Sequence, residues 1–342
     1  AFFVGLRLFA LCCMLGCAAF LSAQIGGDAT FRFLELSNSP RQLALGDPIT
    51  LRDMDISSTL ANPAMIRGEQ GGQVMVNYEP YFDGINRGSA AYAYTINRQK
   101  ALVFDVNYIN YGTFEGADPL GNPTGSFTGS EVALGLASSH YFLRQNIHLG
   151  VRLRYALSNL ESYSSSAILG DIGLYYNPIS KPLRIALVYQ HLGSQLTAYE
   201  DVFEPLPSNL SLGFSSALKH LPLRWHLTFH HLNKYPLYFD NPEDASQTLG
   251  GGTNQRSAGL AKKLLRHASF GVEVFPESLF SIRLGYHAQR AAELRILELR
   301  NFSGLSFGVG MQLRRLRFQI SHARYNIAGN RTFLGLTLKP SR

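Results

Sequence analysis

From about residue 72 onward, apolar and polar residues alternate in segments of roughly ten, and this alternation dictates the class of fold. In one segment Ile147, Leu149, Val151, Leu153, Tyr155 and Leu157 occupy one face, and His148, Gly150, Arg152, Arg154, Ala156 and Ser158 the other. A period of two marks an extended strand, because successive side chains point to opposite sides. The pattern recurs: Leu223, Trp225, Leu227 and Phe229 oppose Arg224, His226, Thr228 and His230. Likewise Phe280, Ile282, Leu284 and Tyr286 oppose Ser281, Arg283, Gly285 and His287, and Leu316, Phe318 and Ile320 oppose Arg315, Arg317 and Gln319. A tilted strand of about 9–11 residues crosses a bilayer, its apolar face on lipid and its polar face inside a closed barrel. A soluble sandwich could show the same period, but its inner face would not carry arginines.

Fourteen segments carry the pattern, near 72–79, 88–97, 100–110, 128–141, 146–158, 165–177 and 182–192, then 208–217, 222–232, 267–275, 280–287, 303–313, 315–325 and 331–338. Bacterial single-chain barrels have an even count. Connectors after the even strands are short, whereas those after the odd ones (80–87, 111–127, 159–164, 193–207, 233–266, 288–302 and 326–330) are mostly longer. Short turns on the periplasmic side and long loops outside are the outer-membrane arrangement. The expected fold is therefore an all-β membrane barrel of about fourteen antiparallel strands. Tyr108, Tyr111, Tyr141, Tyr175 and Tyr176, near strand ends, read as interfacial girdles.

Composition agrees. Mean hydropathy is −0.02, far too polar for a helical membrane protein. Residues 1–23 read as a secretory signal: Arg7, then the apolar run Leu8–Leu21, then Leu21-Ser22-Ala23 as cleavage site. Cys12, Cys13 and Cys17 all lie inside it, so a processed chain would have no disulfide. An alternative makes Met14-Leu15-Gly16-Cys17 a lipoprotein site, but the apolar run continues past Cys17 to the better cleavage site. The net charge of +7 is spread along the chain and forms no stripe of the kind nucleic acid requires.

Residues 24–71 do not alternate. They carry turn signals at Asn38-Ser39-Pro40, Gly46-Asp47-Pro48 and Asn62-Pro63. A barrel of this size encloses a water-wide bore unless something fills it. The segment 24–71, entering at the periplasmic mouth, reads as a plug, and 72–342 as the barrel.

Within the plug, Ser39-Pro40-Arg41-Gln42-Leu43-Ala44-Leu45-Gly46, then Asp53 and Asp55, then Leu60-Ala61-Asn62-Pro63-Ala64, resemble the N-terminal signature of FadL-like outer-membrane proteins. The lead-in Thr30-Phe31-Arg32-Phe33-Leu34-Glu35-Leu36 narrows the resemblance to the PorV/PorQ family of the Bacteroidetes type IX secretion system. Its specific motifs cover residues 30–64, with Ser39, Arg41, Leu45, Gly46, Asp53, Asp55, Asn62 and Pro63 as the plug motif. Pro40 stands where the family usually has Ala, and Asp47 where a second Gly is common. The resemblance implies a non-enzymatic barrel that docks a PorZ-like surface protein. PorU- and PorV-like components would work alongside, in the complex that attaches secreted cargo to lipopolysaccharide. The wider FadL-like signature equally allows a transporter of hydrophobic molecules.

Arg152, Arg154, Arg224, Arg283 and Arg317 face inward and make the lumen basic. They could form an anion path or a lipopolysaccharide contact. The favoured reading pairs them with Asp105, Asp171, Glu35, Asp53 and Asp55, because a charge in a low-dielectric wall must be paired or hydrated. His226 and His230 share a face but stand about 13 Å apart at roughly 3.3 Å per residue, and no cysteine accompanies them. Neither metal nor cofactor is expected. Gly304, Gly308 and Gly310 lie within a strand pattern, where close packing accounts for them better than a nucleotide loop. No serine elbow, paired-acid site or Cys–His arrangement is present, so an enzyme is not expected. The 233–266 connector, opening with Tyr235, Leu237, Tyr238 and Phe239, is the leading candidate partner loop; folding over its own barrel mouth is the alternative.

Overall fold

In the computed structural model the described residues are 29–51, 55–81, 84–97, 99–142, 146–178, 181–200, 202–234, 246–247, 253–254, 264–293, 303–324 and 330–339. The expected signal segment 1–23, Asp53, and the expected partner-loop residues Tyr235, Leu237, Tyr238 and Phe239 lie outside them.

The alternating segments form strands β1 (Val74–Pro80), β2 (Asn86–Thr95), β3 (Ala101–Ala117), β4 (Pro123–Phe142) and β5 (Ile147–Leu160). These are followed by β6 (Tyr163–Tyr176), β7 (Arg184–Thr197), β8 (Asn209–Ala217) and β9 (Leu223–Phe229). A two-residue hairpin, β10 (Ser246–Gln247) and β11 (Thr253–Asn254), sits in the longest connector. The wall resumes with β12 (Ala268–Val274), β13 (Phe280–His287), β14 (Leu305–Gln312), β15 (Leu316–Arg324) and β16 (Asn330–Leu338). All but the small hairpin close into one antiparallel barrel of fourteen strands, sealed where β1 pairs with β16 from Val74↔Leu338 to Tyr78↔Leu334. Closure satisfies every strand's backbone partners in a medium that offers none.

The faces fall as alternation demands. In β5, His148, Gly150, Arg152, Arg154 and Ala156 are buried in the bore, while Leu149, Val151, Leu153 and Tyr155 are exposed outward. Strand ends lie within three residues of the sequence reading except at the outer ends of β3, β4 and β7. Segment 111–127, expected as a loop, is instead a β-ribbon: β3 and β4 stay paired from Thr113↔Thr128 to Ala117↔Pro123. A register shift between Asn110 and Thr113, with Gly112 at φ 82, breaks the period there and hid the continuation. A second bulge sets Gln190 and His191 of β7 against Asp171 of β6, which masks how far β7 runs. Two outer connectors, 118–122 and 161–162, are thus as short as the inner turns, and the asymmetry resides partly in strand height. In the 288–302 connector a short helix forms over Ala288–Glu293. Of the girdle candidates, Tyr108 and Tyr176 are exposed outward, but Tyr175 is buried inside and Tyr111 and Tyr141 bond inward.

Leu153 is 58% exposed on the outer wall. Leu153→Arg is expected to lower the unfolding free energy in lipid by about 2–4 kcal/mol, the cost of a midplane cation on a barrel's lipid face. Thr124→Arg in the ribbon should change it by less than about 0.5 kcal/mol. Urea unfolding in lipid vesicles reads both.

Candidate functional site: the plugged bore

The N-terminal segment runs the length of the barrel. Its described part begins at the outer end, whereas the sequence reading has the segment begin at the periplasmic mouth: the Thr30 N–H donates to Pro205 O in the β7–β8 connector at 3.1 Å. The reason is apolar. Phe31, Phe33 and Leu34 seat in a niche of Ile109, Ala133, Ala156, Ala167, Leu169 and Leu206, formed toward the outer ends of β3–β6. Small alanines in the wall leave room for the two rings. From there the chain descends to the inner end, where β1 begins.

Local chemistry sets its turns. Ser39 Oγ accepts the Gln42 N–H at 3.3 Å and Pro40 opens the first turn, so a short helix forms over Pro40–Ala44. Gly46, at φ 72, ends it in the left-handed region. Asp55 Oδ1 accepts the Ser57 N–H at 3.0 Å at the start of the Ser57–Ala61 helix. Asn62 Oδ1 accepts the Ala64 N–H at 2.9 Å and caps the Pro63–Met65 turn.

The wall meets this segment with glycine. A Cβ on Gly150 would lie 2.1 Å from Pro63 C, and one on Gly173 2.1 Å from Asn62 Oδ1. Gly271 and Gly285 face Leu45 and Gly46 at 2.4–2.5 Å, Gly308 faces the Ala44 Cβ at 2.7 Å, and Gly335 faces Pro40 at 2.9 Å. Each plug motif thus rests against bare strand backbone. These glycines include one that looked faintly like a nucleotide loop, and close packing is their role.

Buried charge locks the two parts together. Arg41 donates to Glu273 of β12 through Nη2 at 2.6 Å and Nε at 3.1 Å, and Arg224 and Arg283 reach the same carboxylate at 3.3 and 2.8 Å. Arg317 donates to Asp55 Oδ2 at 2.5 Å, and Thr337 joins the same carboxylate at 3.4 Å. Midway, Arg152 and Arg154 share Asp105 and Asp171, and Arg152 also donates to the Leu60 and Thr59 carbonyls at 3.1 and 2.5 Å. Nearer the outer end, Glu79 receives Arg87 at 3.2 Å and Arg331 at 2.5 Å, while Arg87 also donates to Ser37 O at 2.5 Å. The five inward arginines therefore sit among carboxylates and plug carbonyls. Glu35 pairs elsewhere, with Arg32 at 3.3 Å. Glu273 and Glu79 were missed as partners, although Glu273 alternates onto the inward face of its strand and could have been counted there.

A cavity of about 90 Å³ lies under the outer mouth, lined among others by Asn38, Gln42, Asp47, His191, His230 and Arg290. The His230 and His287 rings stack at 5.3 Å, and Arg290 donates to Asp47 at 2.6 Å.

No family model and no curated protein matches the chain. Solved structures do. The TodX deltaS2S3 mutant monoaromatic hydrocarbon channel aligns at TM-score 0.53 and 11% identity, over 87% of this chain and 97% of that one. The CymD monoaromatic hydrocarbon channel aligns at TM-score 0.52 and 12% identity, over 90% and 98%. A FadL homologue from Pseudomonas aeruginosa aligns at 0.48 and 10% identity, over 91% and 98%. The fold, a closed antiparallel barrel of fourteen strands, is that of the two hydrocarbon channels.

Two expectations follow. Gly150→Ala places a methyl against backbone that cannot swing aside, and overpacking of this kind costs about 1–3 kcal/mol. The Asn62–Ala64 segment should be displaced, seen as raised single-channel conductance and protease cleavage of the plug. Gly88→Ala, whose Cβ would meet nothing nearer than 3.6 Å, should do neither. Asp55 gives a pH signature. Burial raises its pKa, but the Arg317 charge and the Ser57 N–H outweigh burial and hold it at about 2. Because this is below the unfolded value of about 4, the contribution is complete above that value and fades as pH falls toward 2. Plug cleavage in detergent should rise over that window, and Asp55→Asn should raise it already at pH 7.

Proposed function

We propose that the barrel is a sealed outer-membrane anchor whose outer surface docks a secreted partner, in the type IX machinery that attaches cargo proteins to the cell surface. The observation that carries this reading is the occupied bore. A segment bonded to the wall at Glu273, Arg317, Arg152 and Arg87, and bedded on wall glycines, occupies the bore among the described residues. A barrel stoppered in this way offers its outer rim for function. The likeness of residues 30–64 to the PorV/PorQ signature supports the same role. It makes a PorZ-like surface protein the expected partner, with PorU- and PorV-like components and lipopolysaccharide nearby.

A second reading, a channel for hydrophobic molecules, draws on the fold shared with the two hydrocarbon channels. It also draws on the apolar niche filled by Phe31 and Phe33. It requires that segment to leave its niche, at the cost of exposing the two rings and the wall alanines.

Affinity purification of the tagged barrel from native membranes should recover a soluble surface protein in stoichiometric amount, and deletion should release cargo into the medium. Normal cargo attachment together with a barrel that purifies alone would refute docking. Loss of hydrocarbon or fatty-acid uptake on deletion would favour the channel.

A further inference from the structure

We infer that the β3–β4 ribbon is the docking element, and that it takes a protein partner with a basic face and a strand edge to offer. The inference rests on the docking role proposed above. β2 stops pairing with β3 at Asn110, and β5 stops pairing with β4 at Gly129. Beyond those points, apart from the Glu161 N–H that donates to Thr128 O at 3.1 Å at the ribbon's base, the two strands among the described residues bond to each other, so the ribbon rises from the barrel with both edges open above Thr128. From Asn110 to Ala117 it rises seven residues, roughly 20 Å at about 3.3 Å per residue. Open edges are templates for an added strand, and strand addition is a common way for proteins to capture an extended segment. Neither edge carries Lys, the usual guard against such pairing.

The faces of the ribbon specify the partner further. Phe114 and Phe127, directly paired across the strands, stack at 5.4 Å, and Phe114 remains 43% exposed. At the tip Leu120 is 87% exposed. An aromatic pair held in water on a rigid scaffold is the kind of group that anchors an interface. The charge on and beside the ribbon is acidic: Glu115 and Asp118 lie on the ribbon, with Glu161, Glu200 and Glu204 on the neighbouring outer turns, and no Lys or Arg occurs from 101 to 142. A basic face complements this side of the mouth, and phosphate-bearing lipid is repelled by it. The ribbon also keeps its shape unaided. Asp118 accepts N–H groups of Leu120 and Asn122 at 2.9 and 2.8 Å, and Tyr111 at the base donates to Glu131.

The test uses full-length barrel and the surface protein that copurifies with it. Phe114→Ser combined with Phe127→Ser should weaken binding about tenfold or more. Glu115→Lys combined with Glu161→Lys should do the same at low salt, and wild-type affinity should fall as salt rises. A trimmed barrel, with Asn110 joined to Gly129 through a two-residue turn, should lose binding. In each case the barrel must still shift on a gel when heated, which shows that it is folded. A partner that binds all three variants as well as wild type overturns the ribbon while leaving the docking role intact. A native preparation with no partner overturns both. Loss of binding to lipopolysaccharide vesicles, with protein binding unchanged, would assign the ribbon to the membrane and overturn this inference.

Discussion

Hydrocarbon supplies no hydrogen-bond partners, and the rest of this structure follows from that. A strand in lipid must pair on both edges, so the sheet closes on itself, β1 on β16. Closure at fourteen strands fixes a bore too wide for wall side chains to fill. The bore is therefore either water or a second piece of chain. Here it is chain, and that chain brings backbone carbonyls and polar caps with it. The wall answers with arginine, which donates to several acceptors at once. Arg152 and Arg87 each bridge a wall carboxylate to a plug carbonyl. Such buried pairs are weak evidence for stability, since desolvation offsets much of their attraction. Their geometry instead makes one seating of the plug better than its neighbours.

The barrel was legible in the sequence because burial on one face and lipid on the other leave no latitude in the two-residue period. Leu153 and Arg152 cannot exchange faces. Legibility failed where the period itself fails. Gly112 at φ 82 and His191 at φ 60 mark bulges that add a residue to one strand and invert the pattern beyond, so the upper parts of β3 and β7 resembled loops. The plug was recognisable as a segment outside the pattern, and its motifs by their likeness to a family. Its direction was not, because the alanine niche that holds Phe31 and Phe33 is assembled from separate strands, β4, β5 and β6. Nothing in Ala133, Ala156 or Ala167 read singly indicates a pocket. The wall glycines were visible but uninterpretable for the same reason, since their partner lies more than eighty residues away in the chain.

Function divides along the same line. Passage through a barrel needs a bore that opens, whereas docking needs a rim that projects and no opening. The ion pairs and close packing between plug and wall favour a bore that stays shut. Opening by withdrawal of the Pro40–Ala44 helix would take Arg41 from Glu273 and leave Arg224 and Arg283 beside it to readjust. Withdrawal of Asn62–Ala64 would bare the backbone at Gly150 and Gly173. A partial movement confined to the outer end disturbs neither. The Phe31–Leu36 stretch could leave its niche while the Asp55–Arg317 pair holds the inner end.

Under the proposed docking role, the outer end is the place where docking and plugging would meet. Strands β3 and β4, which project as the ribbon, are among those whose lower parts form the niche for Phe31 and Phe33. Tyr111 and Glu131 join them at the level between ribbon and niche. A two-stranded ribbon with open edges gains further order when a third strand joins it. A partner that completes those edges would stiffen β3 and β4 down to Ile109 and Ala133, and so tighten the niche on the rings it encloses. Binding at the rim and retention of the stopper are then parts of one packed unit, in which the occupied bore gives the ribbon a rigid base.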